Sequence, residues 1–415
     1  MPPAKTTHPT ETPTWAVVGA AAITLAVAMG IGRFAYTPLL PLMMRDGQLD
    51  AAGGATLAAA NYLGYLVGAL TAGRLAARPL GLVRACLLLI ALLTAAVGLG
   101  QGLLFWSGLR FAAGICSAWA MVGISSWSLS LLAQRGQAVL GGLVFTGVGA
   151  GILLAGLMAW LAADLSARVL WLALGAAALL LALAVQALLR QMAGPTPAAI
   201  AATADAHRPE AAAASRLPPG SWPLVICYGS FGFGYILPAT FLPAMARSLL
   251  DDPRSFGLVW PVFGLAAMLS TVLSMRWITA WRPLRAWSVC QFAMAAGVAL
   301  PLLSRSGWAI ALAALLVGST FVLATVIAMQ QARALAPMQP ARLLGRMTAA
   351  FALGQIAGPL LVRALHAVQW GRWGGIEISS AAAAAWLLAT ALWLWRAQDF
   401  GVEGGGRPAG LRTKV

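Results

Sequence analysis

Residues 30–43 read GIGRFAYTPLLPLM, and residues 232–245 read GFGYILPATFLPAM. A shift of 202 residues lays Gly30 on Gly232, Gly32 on Gly234, Leu40 on Leu242, Pro41 on Pro243 and Met43 on Met245. A shift of 204 pairs RPL at 78–80 with RPL at 282–284, Cys86 with Cys290, and Gly114 with Gly318. A near-constant offset over three apolar stretches marks an internal repeat, so the second half of the chain is expected to rebuild the first.

The repeated unit is a membrane unit. Of 415 residues, 60% are apolar and 9% are charged, where soluble domains carry about a quarter charged. Apolar runs of about 20 residues recur along the chain, each long enough to cross a hydrocarbon core of ~30 Å. The alternation of a barrel strand is absent, which leaves helices to satisfy the backbone. Spans are expected at 15–44, 51–76, 80–99, 103–132, 137–162, 167–190, 221–247, 255–280, 284–303, 307–335, 341–366 and 376–396. Residues 191–220, rich in Ala and Pro, cannot bury enough surface to fold alone and read as a linker. The expected fold is an all-α membrane protein of twelve transmembrane helices. They form two six-helix bundles, 15–190 and 221–396, with tails at 1–14 and 397–415. Six spans per half keep both halves in one orientation, a parallel repeat about an axis along the membrane normal.

With both termini inside, eighteen Lys and Arg fall in cytoplasmic segments and seven in outside segments, which sets the orientation. The net charge of +16 is scattered singly between apolar runs, unlike the patch or stripe of a nucleic-acid binder, so no nucleic-acid partner is expected. The first apolar stretch continues from Trp15 to Met44, longer than a signal h-region, and is expected to be retained as a span. Cys86, Cys116, Cys227 and Cys290 lie inside apolar runs without metal-binding spacing and read as small buried apolar residues. No cofactor, metal site or catalytic residue is expected, and no nucleophile–base pair suggests an enzyme.

Three further patterns carry a resemblance. GRLAARPLG at 73–81 is similar to the loop after span two of the major facilitator superfamily, with Ala77 where that loop carries an Asp. RFAAG at 110–114 is similar to the Arg-x-x-x-Gly of its fourth helix, and GQIAGP at 354–359 to the Gly-x-x-x-Gly-Pro that its antiporters carry in span five. GIGRFAYTPLLPLM followed by NYLGYLVGAL at 61–70 resembles its YbfB/YjiJ branch. The resemblance implies a monomeric transporter of the bacterial cytoplasmic membrane, with spans one, four, seven and ten lining a central cavity.

No acidic residue is expected in the interior of a span, Glu377 standing at the very start of the last, whereas Arg33 and Arg110 are. A charge near mid-bilayer costs roughly 2.5–3.5 kcal/mol, so each should face the bundle interior. At 1.5 Å per residue, Arg33 lies ~27 Å in from the cytoplasm and Arg110 ~10 Å below the outer surface, both in the outer half. Two cations in a water-filled cavity without an acid suit an anion such as a carboxylate, sulfonate or phosphate. Against this, the resembled superfamily often uses the span-four arginine to bind backbone carbonyls of span one, and Arg33 could reach Asp46 or Asp50. Tyr36 and Thr37 follow Arg33 at i+3 and i+4, on its face. Asn61, Gly64, Tyr65 and Gly68 form a similar stripe, its glycines suited to close helix packing. The repeat places Tyr235 opposite Arg33, so the second half offers Tyr228, Tyr235 and apolar surface to an amphipathic organic anion.

The expected substrate-binding residues are therefore Arg33, Tyr36, Asn61, Tyr65, Arg110, Tyr228 and Tyr235. The expected function is secondary transport of a small organic anion by alternating access, with Pro38, Pro41, Pro238 and Pro243 letting spans one and seven bend. Alternatives are efflux of lipophilic compounds with structural arginines, and a membrane receptor or scaffold that moves nothing.

Overall fold

A computed structural model describes residues 13–72, 79–191, 218, 220–249, 257–277, 281–336 and 340–397. Most of both tails, most of the 191–220 linker and most of the GRLAARPLG stretch lie outside the described residues. The helices are α1 (Thr14–Arg45), α2 (Ala51–Thr71), α3 (Pro79–Leu99), α4 (Leu103–Gln134), α5 (Gly141–Leu161) and α6 (Ala167–Gln191). They continue with α7 (Ser221–Leu249), α8 (Val259–Trp277), α9 (Pro283–Leu303), α10 (Gly307–Leu335), α11 (Pro340–Ala364) and α12 (Gly375–Ala397). Among the described residues, ten helices are long and apolar enough to cross a membrane. Helix α2 falls outside that set because Asn61, Tyr62 and Tyr65 lower its hydropathy, and α8 is apolar over Val259–Leu273, the part whose side chains are described.

Helix ends are fixed by local chemistry. Asp50 caps α2 by accepting from the Gly53 amide at 2.7 Å, and Ser306 caps α10 by accepting from Ala309 at 3.2 Å. Asp46 accepts from the Ala167 amide at 2.7 Å, so a residue beyond α1 closes the start of α6. Glu377 falls in the first turn of α12, where its carboxylate accepts from the Gly374 amide at 3.0 Å. An acid there meets the positive end of the helix dipole.

Outward faces carry leucines and tryptophans that a soluble protein would bury. Leu104, Leu161 and Leu303 are exposed, as are Trp15, Trp222, Trp308 and Trp370 at or beyond helix ends. Indoles at that level are the aromatic belt of a membrane helix bundle.

Contacts within α1–α6 recur within α7–α12. Helix α1 packs on α4, α5 and α6 as α7 packs on α10, α11 and α12; α2 meets α4 as α8 meets α10; α3 meets α4 and α6 as α9 meets α10 and α12. Matched glycines make matched crossings. A Cβ on Gly30 would lie 2.3 Å from the backbone of Gly151 in α5, and one on Gly232 would lie 2.3 Å from the Phe351 carbonyl in α11. Gly114 likewise lies against the Asn61 backbone of α2, and Gly318 against the Phe263 backbone of α8. Across the halves, α5 packs on α8, α2 on α11 and α1 on α7.

The break in α1 is not where prolines alone would place it. Residues Ala26–Phe34 wind as a π-helix, and α geometry resumes at Tyr36. Pro38 has no amide hydrogen for the Phe34 carbonyl, and its ring crowds that carbonyl, so the turns before it open wider. Helix α7 stays α-helical through Pro238 and Pro243.

Candidate functional site

Helices α1 and α7 touch at matched positions. The Thr37 hydroxyl donates to the Ala239 carbonyl at 2.6 Å, and these two residues are 202 apart, the repeat offset itself. Equivalent residues meet in this way where the axis relating two copies passes between them. The Tyr62 hydroxyl and Thr240 Oγ1 pair at 2.8 Å beside this contact, and the Arg247 guanidinium donates to the Pro41 carbonyl. Arg363 of α11 donates to Thr56 Oγ1 of α2 at 3.1 Å.

Next to the α1–α7 contact sits Arg33, in the π-helical stretch and 3% exposed. Its guanidinium donates to Oε1 of Gln355 in α11, and Nε2 of Gln355 donates to the Tyr235 hydroxyl of α7. Because guanidinium only donates, the amide oxygen must face Arg33 and the amide nitrogen Tyr235. The Arg33 Cζ lies 4.0 Å from the Tyr65 ring centroid and 5.3 Å from those of Tyr62 and Phe34. Its Nε is buried and unpaired. Among the described residues no carboxylate pairs with Arg33 or Arg110.

Arg110 has a different occupation. It is buried in α4 and donates to the main-chain carbonyl of Arg33 at 2.9 Å, while its Nε and Nη1 have no partner. Its Cζ lies 5.6 Å from the Trp171 ring and 5.9 Å from the Tyr36 ring. The side-chain amide of Asn61 donates to the Arg110 carbonyl at 2.8 Å and to the Gly32 carbonyl at 3.5 Å. The π-helical stretch leaves carbonyls without their usual i+4 donors, and two side chains from α2 and α4 reach carbonyls of that stretch.

From α7, Tyr235 lies between two parallel rings, Phe321 at 5.7 Å and Phe351 at 5.6 Å. Tyr228 stacks on the other end of the group, 4.9 Å from Phe351 and 5.6 Å from Phe231. One side of the site is thus cationic and the other aromatic.

The seven residues singled out in the sequence are all buried. Arg33, Tyr65 and Tyr235 come together around Gln355, and Arg110 and Asn61 stand behind Arg33. Tyr36 is turned away: its hydroxyl donates to the Gly54 carbonyl at 2.7 Å, whereas Thr37 points to α7. The face expected to hold Arg33, Tyr36 and Thr37 together is lost because the π-helical stretch ends between them. Arg33 does not open onto a water-filled chamber, since the two halves close on it. Nor does it reach Asp46 or Asp50; Asp46 pairs with Arg45 at 2.9 Å, and Asp50 is a helix cap. Gly64 and Gly68 lie against the backbone of Phe111 and Ile115, as close packing requires.

Gln355 and Tyr62 were missed. The first stands inside GQIAGP, where the glycines and proline draw the eye, yet an uncharged amide in the middle of an apolar span was itself a signal.

A family model described as uncharacterised MFS-type transporter YbfB matches residues 25–394. No functionally curated protein matches the sequence. Among solved structures, a bacterial homologue of the human lysosomal transporter Spinster, inward-facing and occupied, is 15% identical with a TM-score of 0.67, over 95% of this chain and 98% of that one. The nucleoside transporter NupG is 11% identical with a TM-score of 0.66, over 92% of this chain and 98% of that one. A D-xylose–proton symporter is 14% identical with a TM-score of 0.67, over 92% and 97%. Identities this low speak for the fold alone, and the family match carries the assignment: this multi-pass integral membrane protein belongs to the YbfB-like family of MFS transporters.

Proposed function

We propose that the chain is a secondary transporter that carries a small organic anion, with Arg33 as the anchor for its charged group. Two six-helix units, 15–190 and 221–396, rock about the α1–α7 contact in the bacterial cytoplasmic membrane, with both termini in the cytoplasm. In that orientation the Thr37, Tyr62, Arg247 and Arg363 ties all lie toward the outside, which suits a state closed on that face.

The observation that carries this reading is a buried guanidinium with only neutral partners. Burying the charge costs roughly 2.5–3.5 kcal/mol. A hydrogen bond from a charged donor returns about 1.5–3 kcal/mol, and a desolvated cation–π contact about 2 kcal/mol. Gln355 and Tyr65 therefore offset the cost without any ion pair, and the positive charge stays uncompensated. An anion would compensate it. Of the two roles open to Arg110 in the sequence, its hydrogen bond supports the one on the backbone of span one: it grips the Arg33 main chain and positions the anchor. The ring stack of Tyr228, Tyr235, Phe321 and Phe351 supplies an apolar wall for the rest of an amphipathic ligand.

Thermal stabilisation of purified protein tests this with benzoate, benzenesulfonate, inorganic phosphate and a neutral lipophile of benzoate's size. Benzoate or benzenesulfonate should raise the Tm of the wild type, and Arg33→Gln should weaken that binding at least about a hundredfold, the effect of losing two charge-assisted bonds. Stabilisation by the neutral compound alone, unchanged in Arg33→Gln, would instead favour lipophile efflux.

A further inference from the structure

We infer that Gln355 is a built-in stand-in for the ligand's anionic group, holding Arg33 when the site is empty and yielding it when an anion arrives. This rests on the anion reading of Arg33 given above. The guanidinium meets Oε1 of Gln355. An oxygen acceptor on a planar sp² carbon at that position has the geometry of one half of a carboxylate. The difference is charge. An ionised acceptor makes a bond roughly twice as strong as a neutral one, so an incoming carboxylate displaces the amide, whereas water does not.

The placement of Gln355 gives the exchange a consequence. Arg33 belongs to α1, while Gln355 belongs to α11 and is oriented by its bond to Tyr235 in α7. The Arg33–Gln355 bond therefore ties one half of the chain to the other through the centre of the site. When an anion takes Gln355's place, the tie passes from protein to ligand. A glutamate at 355 would defeat this, because a tethered carboxylate would remain on Arg33 and exclude the free one. Glutamine is strong enough to keep a buried guanidinium satisfied and weak enough to be exchanged.

The stand-in makes a prediction opposite in sign to that of an ordinary binding or structural residue: its removal should tighten binding. Benzoate affinity, read from concentration-dependent thermal stabilisation of the full-length protein, should rise about tenfold in Gln355→Leu, the factor set by one lost competing bond to a charged donor. In Gln355→Glu it should fall at least about tenfold. If the leucine variant does not fold, the glutamate variant decides alone. Benzoate binding that is unchanged or weaker in Gln355→Leu, or unchanged in Gln355→Glu, overturns the inference while leaving Arg33 as the anchor. A wild type stabilised by none of the anions, or equally in Arg33→Gln, removes the anion reading and the inference together.

Discussion

Helices α1 and α7 start from one pattern, and one of the positions at which they differ decides the character of the site. Each brings a glycine pair, a proline at the matched 41/243 position, and a backbone crossing onto the fifth helix of its half. At the offset of 202, Arg33 stands against Tyr235, and both side chains converge on the same amide of Gln355. Glycine and proline positions are conserved between the copies where backbones touch, and the copies differ where side chains meet. Duplication supplied the frame, and the difference at one residue supplied the polarity of the site: charge from one half, aromatic surface from the other.

The comparison breaks first at the glycines, where the expected effect is largest. A side chain at Gly30 or Gly232 has backbone, not a movable side-chain tip, within 2.3 Å. Leucine at either position should cost about 3 kcal/mol, the upper end for overpacking, and should cost the two halves alike. Thermal unfolding of Gly30→Leu and Gly232→Leu checks it. A variant that loses little at one site and much at the other would show that the two crossings are not equivalent.

Arg33→Lys comes next and probes the side on which the halves differ. Lysine keeps the charge but presents a compact ammonium that cannot lie over the Tyr65 ring as a planar group while also forking toward Gln355 or a carboxylate. Benzoate binding should weaken about tenfold, well short of the loss in Arg33→Gln, and Tyr235→Phe should weaken it less again. Equal losses in the lysine and glutamine variants would mean that geometry, not charge, holds the anion.

The sequence made the frame legible because the frame is written in residue types with few alternatives. Apolar runs of membrane length, basic loops and repeated glycines each have one dominant physical cause. The arginines were legible too, since a charge in such a run has to be explained. The partners were not. That Arg33 and Arg110 lie at similar depth follows from counting residues along spans. That a span-four arginine can bind carbonyls of span one was implied by the resemblance; that the carbonyl is Arg33's own depends on the π-helical stretch, which loosens carbonyls at Ala26–Phe34 and turns Tyr36 away from Thr37. A one-residue change in helical winding rotates every later side chain, and no 3.6-residue periodicity anticipates it. Gln355 was hidden for a different reason: its partner lies 322 residues away, outside the reach of any local pattern.

The smallest expected effect concerns the hydrogen bond between Tyr62 and Thr240. At the offset of 202, Thr240 corresponds to Pro38 and Tyr62 to Gly264, so the repeat contains no second copy of this bond. It ties α2 to α7, whereas α8 has no hydroxyl to offer α1 at the matched place. Interhelical hydrogen bonds inside membranes average about 0.6 kcal/mol, because an unfolded segment in lipid also finds partners. Tyr62→Phe should therefore lower stability by about that amount and shift a closed-to-open equilibrium about threefold. Thr240→Val should do the same, and the double variant should cost no more than either single change. Thermal unfolding of the three variants measures the coupling. If the two single losses simply add, the hydroxyls act independently, and the one-sided tie is not what holds α2 against α7.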